Sequence, residues 1–343
     1  MGKEITIYDI ARELNISPAT VSRGLKNSSA VSKPTIKKIL EKAGEMGYRH
    51  NSFASNLRRQ KSYTIGILLH TLHSNFVASV LAGIEKITAA AGYNILIVHS
   101  REDYEQEVEN VRNLFHNRVD GVIASLSFST RNLDHFNPFF EKNIPVIFFD
   151  RVEEDSEKTH VIIDNYKCGY IATQHLLQQG CRRIVLFTSS LKRNVYYQRH
   201  RGYTDALFDA GIQYDKDLLL VKDISEESAL EAAQEILQMR PLPDGLFVTN
   251  DFEATVCMQA LKRNGLKVPG DIAVVGFNND SISKIVEPQL TTINYPGREM
   301  GEVTARNMVN HLNGQGNISN TNRIIIRSEL IVRESSLKKG KGR

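Results

Sequence analysis

The chain has 343 residues, 41% hydrophobic and 24% charged, which suits two or three soluble domains with real cores. No run of about 18 apolar residues occurs, so a membrane-spanning helix is excluded, the charged N-terminus argues against a secretory leader, and three scattered cysteines argue against a disulfide framework and for a reducing, cytoplasmic setting. The net charge of +4 conceals a basic head: residues 1–62 carry 12 Lys/Arg against 5 Asp/Glu, the remainder 31 against 34.

The head opens with a helix. Thr6 is an N-cap, Asp9 stands at capping-box spacing, and Ile7, Ile10, Ala11 and Leu14 recur with helical period. Asn15 and Ile16 break the pattern. Ser17 caps a second helix with Pro18 at its first position. Val21 and Leu25 face the first helix, leaving Ala19, Thr20, Ser22 and Arg23 at the front or flanks. Small residues let a helix enter a major groove, Thr and Ser bond phosphates or bases, and Arg can fork onto guanine. A third helix, capped by Ser32, follows over "KPTIKKILEKAGEMGY". The basic charge suits a polyanion. A solvated charged face, or a three-helix module that binds protein, is the alternative.

The stretch "NSFASNLRRQKS" comes next. Asn51 or Ser52 could cap a short helix holding Ala54, Leu57 and Arg58, too poor in apolar residues to be stable alone. Leu57 suits an apolar wedge between base steps in the minor groove, with Arg58 and Arg59 near phosphates. Alternatively it packs on the next domain.

On "TIYDIARELNISPATVSRGL", "VSKPTIKKILEKAGEMGY" and "NSFASNL", the head resembles the DNA-binding head of the LacI (lac repressor) family of bacterial transcription regulators. The resemblance runs through nearly the whole chain. It implies that Thr6, Pro18, Ala19, Thr20, Ser22, Arg23 and Lys26 lie at the DNA. It also implies that Asn51, Ala54, Leu57 and Arg58 form a hinge helix that folds on the operator, Leu57 opening its central step. The chain departs from the family in Gly24-Leu25-Lys26 for Ala-Leu-Asn, His50-Asn51 for Pro-Asn, and Ala54-Ser55 for Ala-Arg.

The body alternates apolar runs and helical patterns. "YTIGILL", a helix near 76–91, "NILIVH", a helix near 104–117, "DGVIAS", a helix near 133–142 and "PVIFFD" form one unit. "RRIVLFTS", helices near 197–210 and 226–239, "GLFVTN", a helix near 252–264 and "DIAVVGF" form a second. Such alternation means two doubly wound α/β lobes with a cleft at the strand ends. The resemblance implies a type I periplasmic-binding-protein-like body with lobe crossings near 160, 290 and 322. The expected domains are 1–50, a helix-turn-helix head; 51–62, the hinge; 63–333, the two-lobed core; and 334–343, a basic tail.

Residues just past strand ends are the cleft candidates: His70, Phe76, Asp150 and Asn278. His70 and His73 could pair on a metal, but no third ligand is near and no metal is expected. Phe76 could stack on a ligand or be core. Asp150-Arg151 could enter the cleft or make an interlobe salt bridge. The family match places Arg199 on the ligand, where its fork suits vicinal hydroxyls, a carboxylate or a phosphate. The match also gives Asp251 the ligand hydroxyls. Asn278 stands where the family has Asp, a change that points toward a more anionic ligand. Ile224 stands where relatives carry a stacking aromatic, and Trp is absent.

No P-loop, dinucleotide fingerprint, zinc-protease or nucleophile-elbow motif occurs, so neither an enzyme nor a cofactor is expected. A sugar-modifying enzyme would need an acid/base pair, and Asp150, Asp251 and Asp280 read more simply as acceptors. The expected protein is a homodimeric, sugar-responsive regulator, a repressor of carbohydrate genes, on a near-palindromic operator. A solute-binding protein for transport is the alternative.

Overall fold

The computed structural model describes residues 5–48, 61–154 and 156–338. They fall into a head within Met1–Ser62 and a body within Tyr63–Arg343.

Among the described residues three helices make the head: α1 (Ile7–Glu13), α2 (Pro18–Leu25) and α3 (Lys33–Glu45). Each starts at a side chain that ties the first turn. Thr6 donates its N–H and its hydroxyl to Asp9 Oδ2 at 2.9 and 2.7 Å. Ser17 Oγ accepts the Thr20 N–H at 3.1 Å, and Ser32 Oγ that of Thr35 at 3.4 Å. Asn15, in the left-handed region, turns the chain between α1 and α2. Ile10, Val21 and Ile39 are fully buried, each contributing about 1.5–3 kcal/mol. Gly24 lets α2 approach α3, since a Cβ there would lie 2.4 Å from Ile39 Cδ1.

The body holds two six-stranded sheets. Lobe 1 contains β1 (Thr64–Leu69), β2 (Asn94–His99), β3 (Gly121–Ala124), β4 (Val146–Phe149), β5 (His160–Ile163) and β11 (Arg323–Ile326), in the order β11-β5-β4-β3-β1-β2, all parallel. Lobe 2 contains β6 (Ile184–Thr188), β7 (Leu219–Val221), β8 (Gly245–Val248), β9 (Ala273–Asn278), β10 (Thr291–Asn294) and β12 (Leu330–Ile331), in the order β12-β10-β9-β8-β6-β7. Only the β10–β12 pair is antiparallel. The inner strands are buried on both faces, so helices must cover both.

Those helices are α4 (Asn75–Ala90), α5 (Tyr104–His116), α6 (Asn137–Glu141), α7 (Asn165–Gln178), α8 (Asn194–Asp209), α9 (Glu226–Gln238), α10 (Asp251–Arg263), α11 (Ile282–Ile285) and α12 (Gly297–Leu312). In each lobe one helix pair meets backbone to backbone. A Cβ on Gly301 of α12 would sit 2.1 Å from Val80 O of α4, and one on Gly202 of α8 2.1 Å from Tyr166 O of α7.

The chain changes lobe after β5, after β10 and after β11. Each passage lies a few residues beyond the expected 160, 290 and 322, because each strand runs to its end first. The basic tail expected from 334 is corrected. Ser335 and Ser336 are fully buried. Ser335 Oγ donates to Val274 O at 2.7 Å and accepts the Thr291 N–H at 2.9 Å. Ser336 Oγ lies 2.7 Å from His175 Nε2, and Lys338 Nζ donates to Asp244 O at 2.9 Å. The chain is therefore core through these serines, and residues 339–343 lie outside the described part. The helix expected near 133–142 is a 3-10 turn, Asp134–Phe136, followed by the short α6.

Candidate functional sites: a helical face and an interlobe cleft

On α2 the inward side chain is Val21, fully buried, with Gly24 against Ile39. Residues 18, 22 and 26, and 19 and 23, follow at the spacing that shares one helix face. Ala19, Arg23 and Lys26 are exposed, and Pro18, Thr20 and Ser22 half-buried. Among the described residues Arg23 and Lys26 form no ion pair. Thr6 is exposed at the start of α1, its hydroxyl held by Asp9. Tyr8, which the sequence reading did not mark, is 65% exposed in the first turn of α1. The hinge candidates Asn51, Ala54, Leu57 and Arg58 lie outside the described residues.

In the body, strand ends from both lobes enclose a cleft of about 950 Å³. His70, past β1, and Asp150 and Arg151, past β4, come from lobe 1. Tyr196 and Arg199 of α8, Thr249 and Asn250 past β8, and Asn278 and Asp280 at the end of β9 come from lobe 2. This is where an open parallel sheet leaves backbone groups and loops free to hold a ligand.

The polar groups are tightly tied. His70 Nδ1 lies 3.0 Å from Ser125 Oγ, and burial holds its imidazole neutral, well below the usual histidine range. Asp150, in the left-handed region, accepts the Tyr295 hydroxyl. Burial pushes its carboxyl up, against the pull of Arg151. Arg199 is 3% exposed. Its Nε donates to Asn165 Oδ1 at 2.9 Å and its Nη1 to Thr249 O at 3.2 Å. Its guanidinium lies 3.5 Å from the Phe277 ring centre, a cation–π contact that orients it.

Several expectations change. Phe76 reaches the cleft wall, but it is 7% exposed and stacks on Tyr295 at 4.1 Å, so it is chiefly core. Arg151 pairs with Glu102 of its own lobe at 2.7 Å, which replaces the interlobe salt bridge. Asp251 is fully buried, does not line the cleft, and has both oxygens occupied. Oδ1 accepts the Thr292 hydroxyl at 2.6 Å and Oδ2 the Asp280 N–H at 2.8 Å. Its role is to fix the Asp280 turn, and burial pushes its carboxyl up to about 7. Asp280, read from the sequence only as one acceptor among three acids, lines the cleft, at the end of "NND". Ile224 lines the cleft, whose aromatic walls are Phe and Tyr rings at Phe128, Tyr196, Phe252 and Tyr295. Among the described residues no three His, Cys, Asp or Glu converge as metal ligands.

Comparison with known proteins gives the geometry its context. The model for bacterial regulatory proteins of the lacI family matches residues 6–51, and that for the periplasmic binding protein-like domain matches residues 173–336. The HTH-type transcriptional regulator RegA of Clostridium saccharobutylicum is 34% identical over 334 residues, 97% of this chain and 99% of its own length. The structure of the lac repressor dimer bound to operator and the anti-inducer ONPF is 25% identical, with TM-score 0.87 over 98% of this chain and 100% of that one. The transcriptional regulator CelR–cellobiose complex is 27% identical, with TM-score 0.71 over 97% of this chain and 100% of that one. With likeness running from the first helix of the head through the body, the chain belongs to the LacI family of bacterial transcription regulators, in which a DNA-binding head is joined to a ligand-binding body.

Proposed function

We propose that this regulator is a repressor of carbohydrate-utilisation genes, acting in the cytoplasm as a homodimer on a near-palindromic operator. Residues 1–50 read the DNA, residues 51–62 are the hinge, and the body from residue 63 binds a sugar or sugar derivative. The exposed α2 face carries this reading: small side chains at its start, then Arg23 and Lys26, which have no acidic partner among the described residues. Such a face suits a major groove, with Arg23 reading a base and Lys26 neutralising phosphate. His70, Asp150, Arg199 and Asn278 are the effector contacts on this reading. The similar CelR structure, a cellobiose complex, supports a sugar of that kind. The chain performs no chemistry: its cleft carboxyls serve as hydrogen-bond acceptors.

Selection of binding sites from random duplex DNA tests the reading. An inverted repeat should emerge, and its affinity should change when a sugar occupies the cleft. Recovery of unrelated sequences with no common half-site would refute it.

A further inference from the structure

The charges of the cleft are unevenly committed. Four carboxylates, Glu102, Asp150, Asp223 and Asp280, and two guanidiniums, Arg151 and Arg199, line it. Arg151 Nη1 donates to both oxygens of Glu102, at 2.7 and 2.9 Å, so that pair cancels. Arg199 is left to balance three carboxylates. Two of its three nitrogens already donate to protein acceptors, Asn165 Oδ1 and Thr249 O. An entering phosphate or carboxylate meets excess negative charge and finds no unencumbered guanidinium fork. A neutral polyol meets acceptors for its hydroxyls.

Among these acceptors Asp280 has a distinct setting. Its backbone is fixed on both sides: the N–H by Asp251 Oδ2 at 2.8 Å, the carbonyl by the Ser283 hydroxyl at 2.6 Å. The turn that delivers it passes through Asn278 and Asn279, both at positive φ. Asn279 is drawn away from it by Asn294 at 3.1 Å and Arg333 at 2.8 Å. Among the described residues the Asp280 carboxylate itself receives one long contact, from Asn278 Nδ2 at 3.5 Å. A rigid backbone under a lightly engaged carboxylate is a preorganised acceptor.

We propose that Asp280 is the lobe-2 residue that takes ligand hydroxyls, and that the effector is a neutral polyhydroxylated molecule, neither phosphorylated nor carboxylated. The inference rests on the cleft being the effector site. It reverses the expectation drawn from Asn278, because the carboxylate missing at 278 is supplied two residues later.

Isothermal titration of the full-length protein tests it. The probes are glucose, galactose and cellobiose, with glucose and galactose each set beside its 6-phosphate and its uronic acid. A neutral sugar should bind, and a charged counterpart should bind about 100-fold more weakly or not at all. Asp280→Asn should weaken the neutral sugar about 30-fold, the loss of hydrogen bonds to a charged acceptor. Asp280→Ser should do the same, and the melting temperature of both variants should stay near wild type. A phosphate or acid that binds more tightly than its neutral parent would overturn this inference and leave the role of the cleft standing. Unchanged neutral-sugar binding in both variants would do likewise. No binding by any probe would overturn it together with the sugar-effector reading.

Discussion

Glu253 sits on α10 at 3% exposure with Oε1 unpartnered, and burial pushes its carboxyl up to about 8. An unfolded glutamate titrates near 4.5. The folded state therefore holds the proton more tightly, and the stability this gives is present in full below pH 4.5 and is lost as pH rises through about 8. Glu253→Gln keeps an acceptor for the Ser225 backbone without the ionisation. Its melting temperature relative to wild type should rise steadily between pH 5 and pH 9 (roughly the span of the titration), and parallel curves would show that Glu253 ionises in the folded protein as it does in the unfolded chain. Buried acids of this kind are hard to read from sequence. "TND" and "NND" both place an acid after a strand, but Asp280 follows a turn with positive φ at Asn278 and Asn279 and lines the cleft, while Asp251 opens a helix behind the Asn250 cap and is fully buried. Asp150 and Arg199 were legible because a strand end and a family pattern marked them, whereas the backbone turn behind Asp280 leaves no spacing to count.

Helices repeat this lesson one level up. The three head helices were legible since their caps and apolar stripes agree, and Ser17 shows the cap at work: its hydroxyl takes the Thr20 N–H. Ser17→Ala should cost the head about 1 kcal/mol, seen as faster amide exchange in α2, and should weaken operator binding without touching the body. Unchanged exchange would mean that packing alone holds α2. In the body α7 escaped the sequence reading, because it buries Asn165, Thr173 and His175 among apolar neighbours and shows no clean stripe. It is set by its partner instead, through glycines that admit a neighbouring backbone. Gly301→Ala, with its Cβ aimed at Val80 O, should lower the denaturation midpoint of the body by the equivalent of about 1–3 kcal/mol. Gly44→Ala meets nothing within 4 Å on α3 and should raise head stability by about 0.5–1 kcal/mol. Equal effects from the two substitutions would refute the close helix contact.

For the body as a whole, the start of α8 matters most, because it fastens one lobe to the other. The Asn194 amide donates to Asp150 O at 3.0 Å and accepts the Val152 N–H at 3.0 Å, as a neighbouring strand would. Arg193 Nη2 donates to Thr130 O at 2.6 Å, and Gln198 Nε2 to Glu154 Oε2 at 2.6 Å. The cleft residues Asp150 and Arg199 thus stand at a set separation before any ligand arrives. Effector coupling in such proteins amounts to about 1–3 kcal/mol, and one net hydrogen bond contributes about 0.5–1.5 kcal/mol. Two bonds from a single amide are therefore comparable with the whole signal. Asn194→Ala should speed amide exchange at residues 150–154 and 193–198 and shrink the effector-induced change in operator affinity by about five-fold or more. Operator affinity without effector should change less, since the variant leaves the head intact. If exchange rises while the effector response stays whole, the lobes do not carry the signal through this seam, and the passages between them after β5, β10 and β11 become the elements to test.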